Sequence, residues 1–204
     1  MTNELFYKKL MGVLFREYYP PNNWMISWVT WMIDSKYRKY VFINEFLNDQ
    51  LYGTTQEVFD LAMSLKKGSD DVTTHNIQKW VYHNITYVSD TVNFGRVEYW
   101  ATANEVLEKG KGDCDDLNGL IYILARFAGI SELKIYCVLG DTDAGLHFYC
   151  VYLSTKFGNL YTIDATYRPD LHLIPEKKQF GIKFNGYRGI SYVFNEENCF
   201  KQKR

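Results

Sequence analysis

Apolar positions recur at helical spacing through the first third of the chain. Between residues 4 and 17, Leu5, Phe6, Leu10, Val13 and Leu14 share one stripe, and Pro20-Pro21 ends it because proline lacks the N–H a continuing helix needs. The pattern predicts a helix there and a second from about Asn22, with Trp24, Trp28, Trp31 and Met32 on its apolar side. After a polar break at 36–39 the pattern resumes over 41–47. Thr54 and Glu57 have the spacing of a capping box and predict a helix reaching about Lys66. The aromatic-rich stretch 18–46 reads as buried helical core or cap, since periodic aromatics pack; a carbohydrate- or partner-binding surface is the competing reading.

Gly68-Ser69-Asp70-Asp71 is the best internal boundary and divides a helical N-terminal extension or cap, 1–67, from a second domain, 68–204. Beyond it, Ile77, Trp80 and Val81 keep helical spacing to Asn84, and 85–88 is short and β-branched. A second capping box, Thr102 with Glu105, opens a helix ending at Gly110, and a further helix runs from about Asp113 to a stop at Gly129. The pattern then changes to strands over 133–139, 146–153 and 160–165. Helices first and antiparallel strands after predict an α+β fold in which one helix packs on a sheet. No repeat or low-complexity tract interrupts it.

Composition narrows the partners. The chain has 204 residues, 47% hydrophobic, with 23 basic against 24 acidic side chains. It is long enough to bury a core without staples, and a net charge of -1 gives no bulk attraction to nucleic acid or an anionic membrane. A small-molecule, protein or peptide substrate is therefore expected, with no nucleic acid and no membrane. Four cysteines, at 114, 137, 150 and 199, form no C-x-x-C pair, which argues against a disulfide framework or structural zinc. No secretory pattern opens the sequence, and its most apolar run, 24–33, is too short to span a bilayer; the cytoplasm is the expected location.

The chemistry concentrates in Gly112-Asp113-Cys114-Asp115-Asp116 at the start of a helix. From Cys114, Leu117, Ile121, Leu124 and Ala128 follow at steps of three and four, so the cysteine lies on the face that meets the protein. Free backbone N–H groups and the helix dipole favour its thiolate there, whereas three neighbouring carboxylates oppose a further anion. A buried cysteine behind acidic capping residues is the alternative. His147 lies in the strand over 146–153 and Asp164 at the end of the next. A hairpin in which 153 faces 158 sets 147 directly opposite 164, on one sheet face, so that the aspartate orients the imidazole while its other nitrogen faces Cys114. A one-residue slip would separate them.

Taken with Tyr99-Trp100-Ala101-Thr102-Ala103-Asn104-Glu105-Val106-Leu107 and Ile163-Asp164-Ala165-Thr166, these motifs resemble the transglutaminase-like cysteine enzyme superfamily, and especially bacterial transglutaminase-like cysteine peptidases, over about 71–167. The resemblance implies a papain-like α+β core with Cys114 as nucleophile, His147 as general base and Asp164 as orienter. Some relatives bind calcium through acidic residues flanking the cysteine, which here are Asp113 and Asp115; the acyl-transfer chemistry itself needs no cofactor. Where papain-like proteases keep an oxyanion-stabilising Gln, six before the cysteine, this chain has Glu108. The Cys114 N–H then needs a second donor, for which Trp100 N–H or Tyr99 O–H is the candidate, with core packing as the alternative role of both. The function implied is attack of Cys114 on an amide carbonyl, with hydrolysis of a protein or peptide preferred over transglutaminase cross-linking. The reading from a different class is a non-catalytic interaction or assembly protein, with the N-terminal helices as its contact surface.

Overall fold

The computed structural model describes residues 15–17, 43–167 and 187–202. The helices expected over 4–14 and from Asn22 through 42, with the partner-binding role assigned to them, lie outside those residues. Residues Phe15–Glu17, expected to end the first helix, instead form strand β1, paired antiparallel with Cys199–Gln202, β8. The elements between are helices α1 (Ile43–Tyr52), α2 (Gln56–Leu65) and α3 (Asp70–Asn84), strand β2 (Thr86–Tyr87), helices α4 (Asp90–Asn93) and α5 (Ala103–Lys109), strand β3 (Lys111–Gly112) and helix α6 (Cys114–Phe127). Strands β4 (Ile135–Thr142), β5 (Gly145–Leu153), β6 (Leu160–Ile163) and β7 (Tyr187–Phe194) follow.

The α+β architecture is as expected. Six antiparallel strands run in the order β1-β8-β7-β4-β5-β6, while β2 and β3 form a separate two-stranded parallel pair. Alternation along the strands gives the sheet two apolar faces. Cys137, Leu139, Phe148, Cys150, Tyr152 and Phe194 join the core of the helical side, and Tyr136, Val138, Tyr149, Val151 and Val193 form a second cluster on the other side. Helix α6 is the centre of the helical side, with 117–125 buried throughout. Phe46, Leu47, Val58 and Ala62 of α1 and α2 belong to that same core. No helix among the described residues is long and apolar enough to cross a membrane.

Helix ends follow local chemistry where nothing competes. Thr102 and Glu105 complete both bonds of their capping box, and Gly110 closes α5 at a φ of 63° that a side chain would oppose. The box expected between Thr54 and Glu57 does not form. The Thr54 hydroxyl instead donates to the Gln50 carbonyl at the end of α1, and Thr55, the residue preceding α2, donates its N–H and hydroxyl to Asn104 Oδ1, each at 3.1 Å.

Gly112 fixes the approach of β3 to α6. A Cβ there would lie 2.5 Å from Asp116 Cβ and 2.6 Å from Asp116 Oδ2. Gly112→Ala is therefore expected to lower stability by about 1–3 kcal/mol, read as a drop in the urea midpoint; an unchanged midpoint would contradict this packing.

Candidate active site

Cys114 is the first residue of α6 and keeps part of its surface exposed. Its place follows from where β6 stops. The β5–β6 pairing runs from Leu153 opposite Leu160 to Cys150 opposite Ile163 and ends there, which leaves the edge of β5 free at Phe148. The start of α6 takes that edge. The Phe148 backbone N–H bonds the Cys114 sulfur, and the Phe148 carbonyl accepts from Asn118 Nδ2 at 2.9 Å. Cys114 is thereby docked on the residue next to His147.

His147 projects from the sheet face that carries Tyr149, against which its ring stacks at 5.9 Å. Its Nε2 meets Asp164 Oδ2 at 2.7 Å in a buried pair, leaving Nδ1 as the ring nitrogen the aspartate does not hold. The expected register is corrected here. Leu153 faces Leu160, not residue 158, so the tight loop starts one residue later and the pairing moves by two. A shift of two preserves the sheet face, and Asp164 reaches His147 diagonally from just beyond β6.

Asp164 accepts more hydrogen bonds than the one from His147. Oδ2 also accepts the Tyr187 hydroxyl at 2.6 Å. Oδ1 accepts from Thr166 N–H (2.8 Å), the Thr166 hydroxyl (2.9 Å), Tyr167 N–H (3.2 Å) and Asn118 Nδ2 (3.2 Å). Burial alone would raise this carboxyl, but the His147 hydrogen bond and charge, with the Tyr187 and Thr166 bonds, hold it below the ordinary value. Gln78 of α3 donates to the Asp164 backbone carbonyl at 2.7 Å. Asn118 carried a signal in the sequence, as a polar residue one turn after Cys114 inside an apolar stripe. Tyr187 carried none, since it arrives from a distant strand.

Trp100 and Tyr99 lie buried in the helical core, Trp100 packed edge-on against both Phe46 and Phe148. Their polar hydrogens are engaged elsewhere: Trp100 Nε1 donates to Glu98 Oε1 and Tyr99 O–H to Glu105 Oε1, both at 2.8 Å.

The acidic residues form a crowded cluster. Ligand atoms of Asp113, Cys114 and Asp115 lie within 4.8 Å of one another, as do those of Asp90, Asp113 and Asp116. Asp90 Oδ1, Asp113 Oδ1 and Asp115 Oδ2 are buried without a hydrogen-bond partner. Burial, with Asp113 adding its charge, pushes Asp90 up to about 8, and burial pushes Asp116 up to about 7. Burial and then the Asp113 carboxylate also push the Cys114 thiol up, against the Phe148 N–H bond. The helix start by itself is thus outweighed, and thiolate formation depends on what offsets these carboxylates. Asp90 was not among the expected residues; it reaches the cluster from α4, 23 positions before Asp113.

Residues 60–155 match the family model of the transglutaminase-like superfamily. Among solved structures, calcium-bound LapG of Legionella pneumophila is similar in fold, with a TM-score of 0.57 at 15% identity, covering 80% of this chain and 90% of LapG. The EGTA-treated form of LapG gives 0.56 at 15% identity, covering 79% and 87%. No curated protein matches the chain. The matched segment runs from α2 to just past β5 and holds both Cys114 and His147, so this part of the chain is similar to the transglutaminase-like superfamily.

Proposed function

We propose that the protein is a cysteine-dependent acyl-transfer enzyme that hydrolyses a protein or peptide amide. The observation that carries this reading is the buried 2.7 Å His147–Asp164 bond beside the β5 edge on which the Cys114 sulfur is docked. In the reaction, the Cys114 thiolate attacks the amide carbonyl and the oxyanion forms near the Cys114 backbone N–H. His147 gives a proton to the departing amine, leaving a thioester on Cys114. His147 then takes a proton from water as the water attacks the thioester, and returns it to the sulfur as the acid leaves. Asp164 holds the imidazole by Nε2 throughout and stabilises its cationic form.

The acidic cluster fits calcium. Its three orphaned oxygens are hard ligands of the kind calcium takes, and the Asp90, Asp113 and Asp116 group offers carboxylate oxygens alone, whereas the Asp113, Cys114 and Asp115 group includes a soft sulfur. Asp113 with Asp90 and Asp116 would hold the ion, and Asp115 adjoins them. Bound calcium would offset the carboxylate charge that opposes the Cys114 thiolate.

Once a cleaved sequence is found by screening peptide libraries, Cys114→Ala and His147→Ala should each lower kcat by about 10⁴-fold or more, and the double variant should be no worse than either. Asp164→Asn should keep a weak residual rate. Unchanged turnover in His147→Ala would remove the base from the reaction.

A second expectation concerns pH in the chelated protein. Asp90 and Asp116 hold protons more tightly folded than unfolded, so their contribution is full below about pH 4 and is lost as pH rises through 7 to 8. Glu196, raised to about 7, acts in the same direction. Asp164, with its lowered value, acts oppositely, its contribution lost only below about pH 4. The melting temperature should therefore be lower at pH 8 than at pH 5. Millimolar calcium should raise it, more so at pH 8, and Asp90→Asn should remove most of that gain. Equal melting with calcium and with chelator would contradict the ion site.

A further inference from the structure

We propose that Asn118 is a positioning residue that sets the Cys114 backbone against the His147 strand, an inference that rests on the acyl-transfer reading. Its side chain is wholly buried, yet it sits in a stretch of α6 otherwise lined by Leu117, Leu120 and Ile121. A buried amide persists in such surroundings only when its polar atoms are satisfied. Here one nitrogen serves three elements. Nδ2 donates to the Cys114 carbonyl at 3.0 Å, one turn back along the helix, and to the Phe148 carbonyl at 2.9 Å, on the residue after His147. Asp164 Oδ1 at 3.2 Å and Thr166 Oγ1 at 3.4 Å are further acceptors for the same group. Oδ1 accepts the Ala165 N–H at 2.9 Å.

An amide nitrogen has two hydrogens, so the two shortest bonds take them and Asp164 Oδ1 receives a longer, bifurcated contact from the same hydrogens. Those two bonds place the carbonyls of Cys114 and Phe148 within the span of a single amide. Asn118's own carbonyl accepts the Cys150 thiol at 3.2 Å, which ties the same helical turn to β5 a second time. The bond to Phe148 fills the edge position that β6 leaves when it ends at Ile163. Without it, α6 would still be helical and still packed by its apolar stripe, but the turn carrying Cys114 would lose its registration on β5. Gln78, by contrast, donates to the Asp164 backbone carbonyl from α3.

The test uses the full-length chain in calcium-containing buffer and needs no substrate. A thiolate paired with an imidazolium reacts preferentially with anionic iodoacetate, so the ratio of iodoacetate to iodoacetamide rates at Cys114, mapped by mass spectrometry, reports how the two groups face each other. Asn118→Ala removes both arms of the amide. Asn118→Ser keeps a hydroxyl able to bond the carbonyl one turn back but too short to reach β5. Both variants are expected to stay folded by circular dichroism and to lower the ratio by about tenfold, as a small displacement of reacting groups does. Lowered melting with an unchanged ratio, or unfolding of both variants at 25 °C, would make Asn118 a residue of the fold alone and overturn the proposal. A wild-type ratio equal to that of free cysteine would instead bring down the acyl-transfer reading, and the proposal with it.

Discussion

The Asp164 carboxylate is the constraint around which the site is arranged. An ionised carboxylate that is 3% exposed is tolerable only if protein groups replace the water it has lost. Its donors come from β5 through His147, from β7 through Tyr187, from α6 through Asn118 and from its own following turn through Thr166 and Tyr167. Satisfying this one anion therefore requires the helix that carries Cys114 and the strand that carries His147 to meet at one place. The low pKa is the electrostatic mark of the same bonds: the charged form is the one they bind.

The acidic residues around Cys114 are arranged in the opposite way. Asp90, Asp113 and Asp115 each keep a buried oxygen without a partner, and the carboxyls of Asp90 and Asp116 are raised where that of Asp164 is lowered. Two populations of buried carboxylate thus act on the Cys114 thiol. One is compensated by the protein itself and steers the imidazole. The other is only partly compensated by the chain, and Asp113 within it pushes the Cys114 thiol up.

Much of this was legible in the sequence where the cause is local. Thr102 and Glu105 cap α5 because each finds its partner within one turn, and Gly110 and Gly129 end helices at φ values that suit glycine. The helix from Cys114 with its apolar stripe, and His147 on one strand with Asp164 at the end of the next, were likewise readable from spacing. Where tertiary partners compete, local reading failed. Thr54 is drawn to Gln50 and Thr55 to Asn104, so the expected box never closes. Phe15–Glu17 has helical spacing but becomes a strand because β8, nearly the whole chain away, offers an unpaired edge. The hairpin register was off by two because a turn can start one residue later without changing which face is buried, and the His147–Asp164 contact survives for that same reason. Tyr187 and Gln78 were invisible because their roles exist only once distant elements have assembled.

Whether His147 makes Cys114 a reactive nucleophile is read from the rate of iodoacetamide labelling at each of the four cysteines across pH, with calcium present. Cys114 should react first and well below the pH at which free cysteine does, buried Cys137 and Cys150 should lag far behind, and the lead of Cys114 should collapse in His147→Ala. A Cys114 that labels no faster than free cysteine, or equally fast with and without His147, would contradict that role.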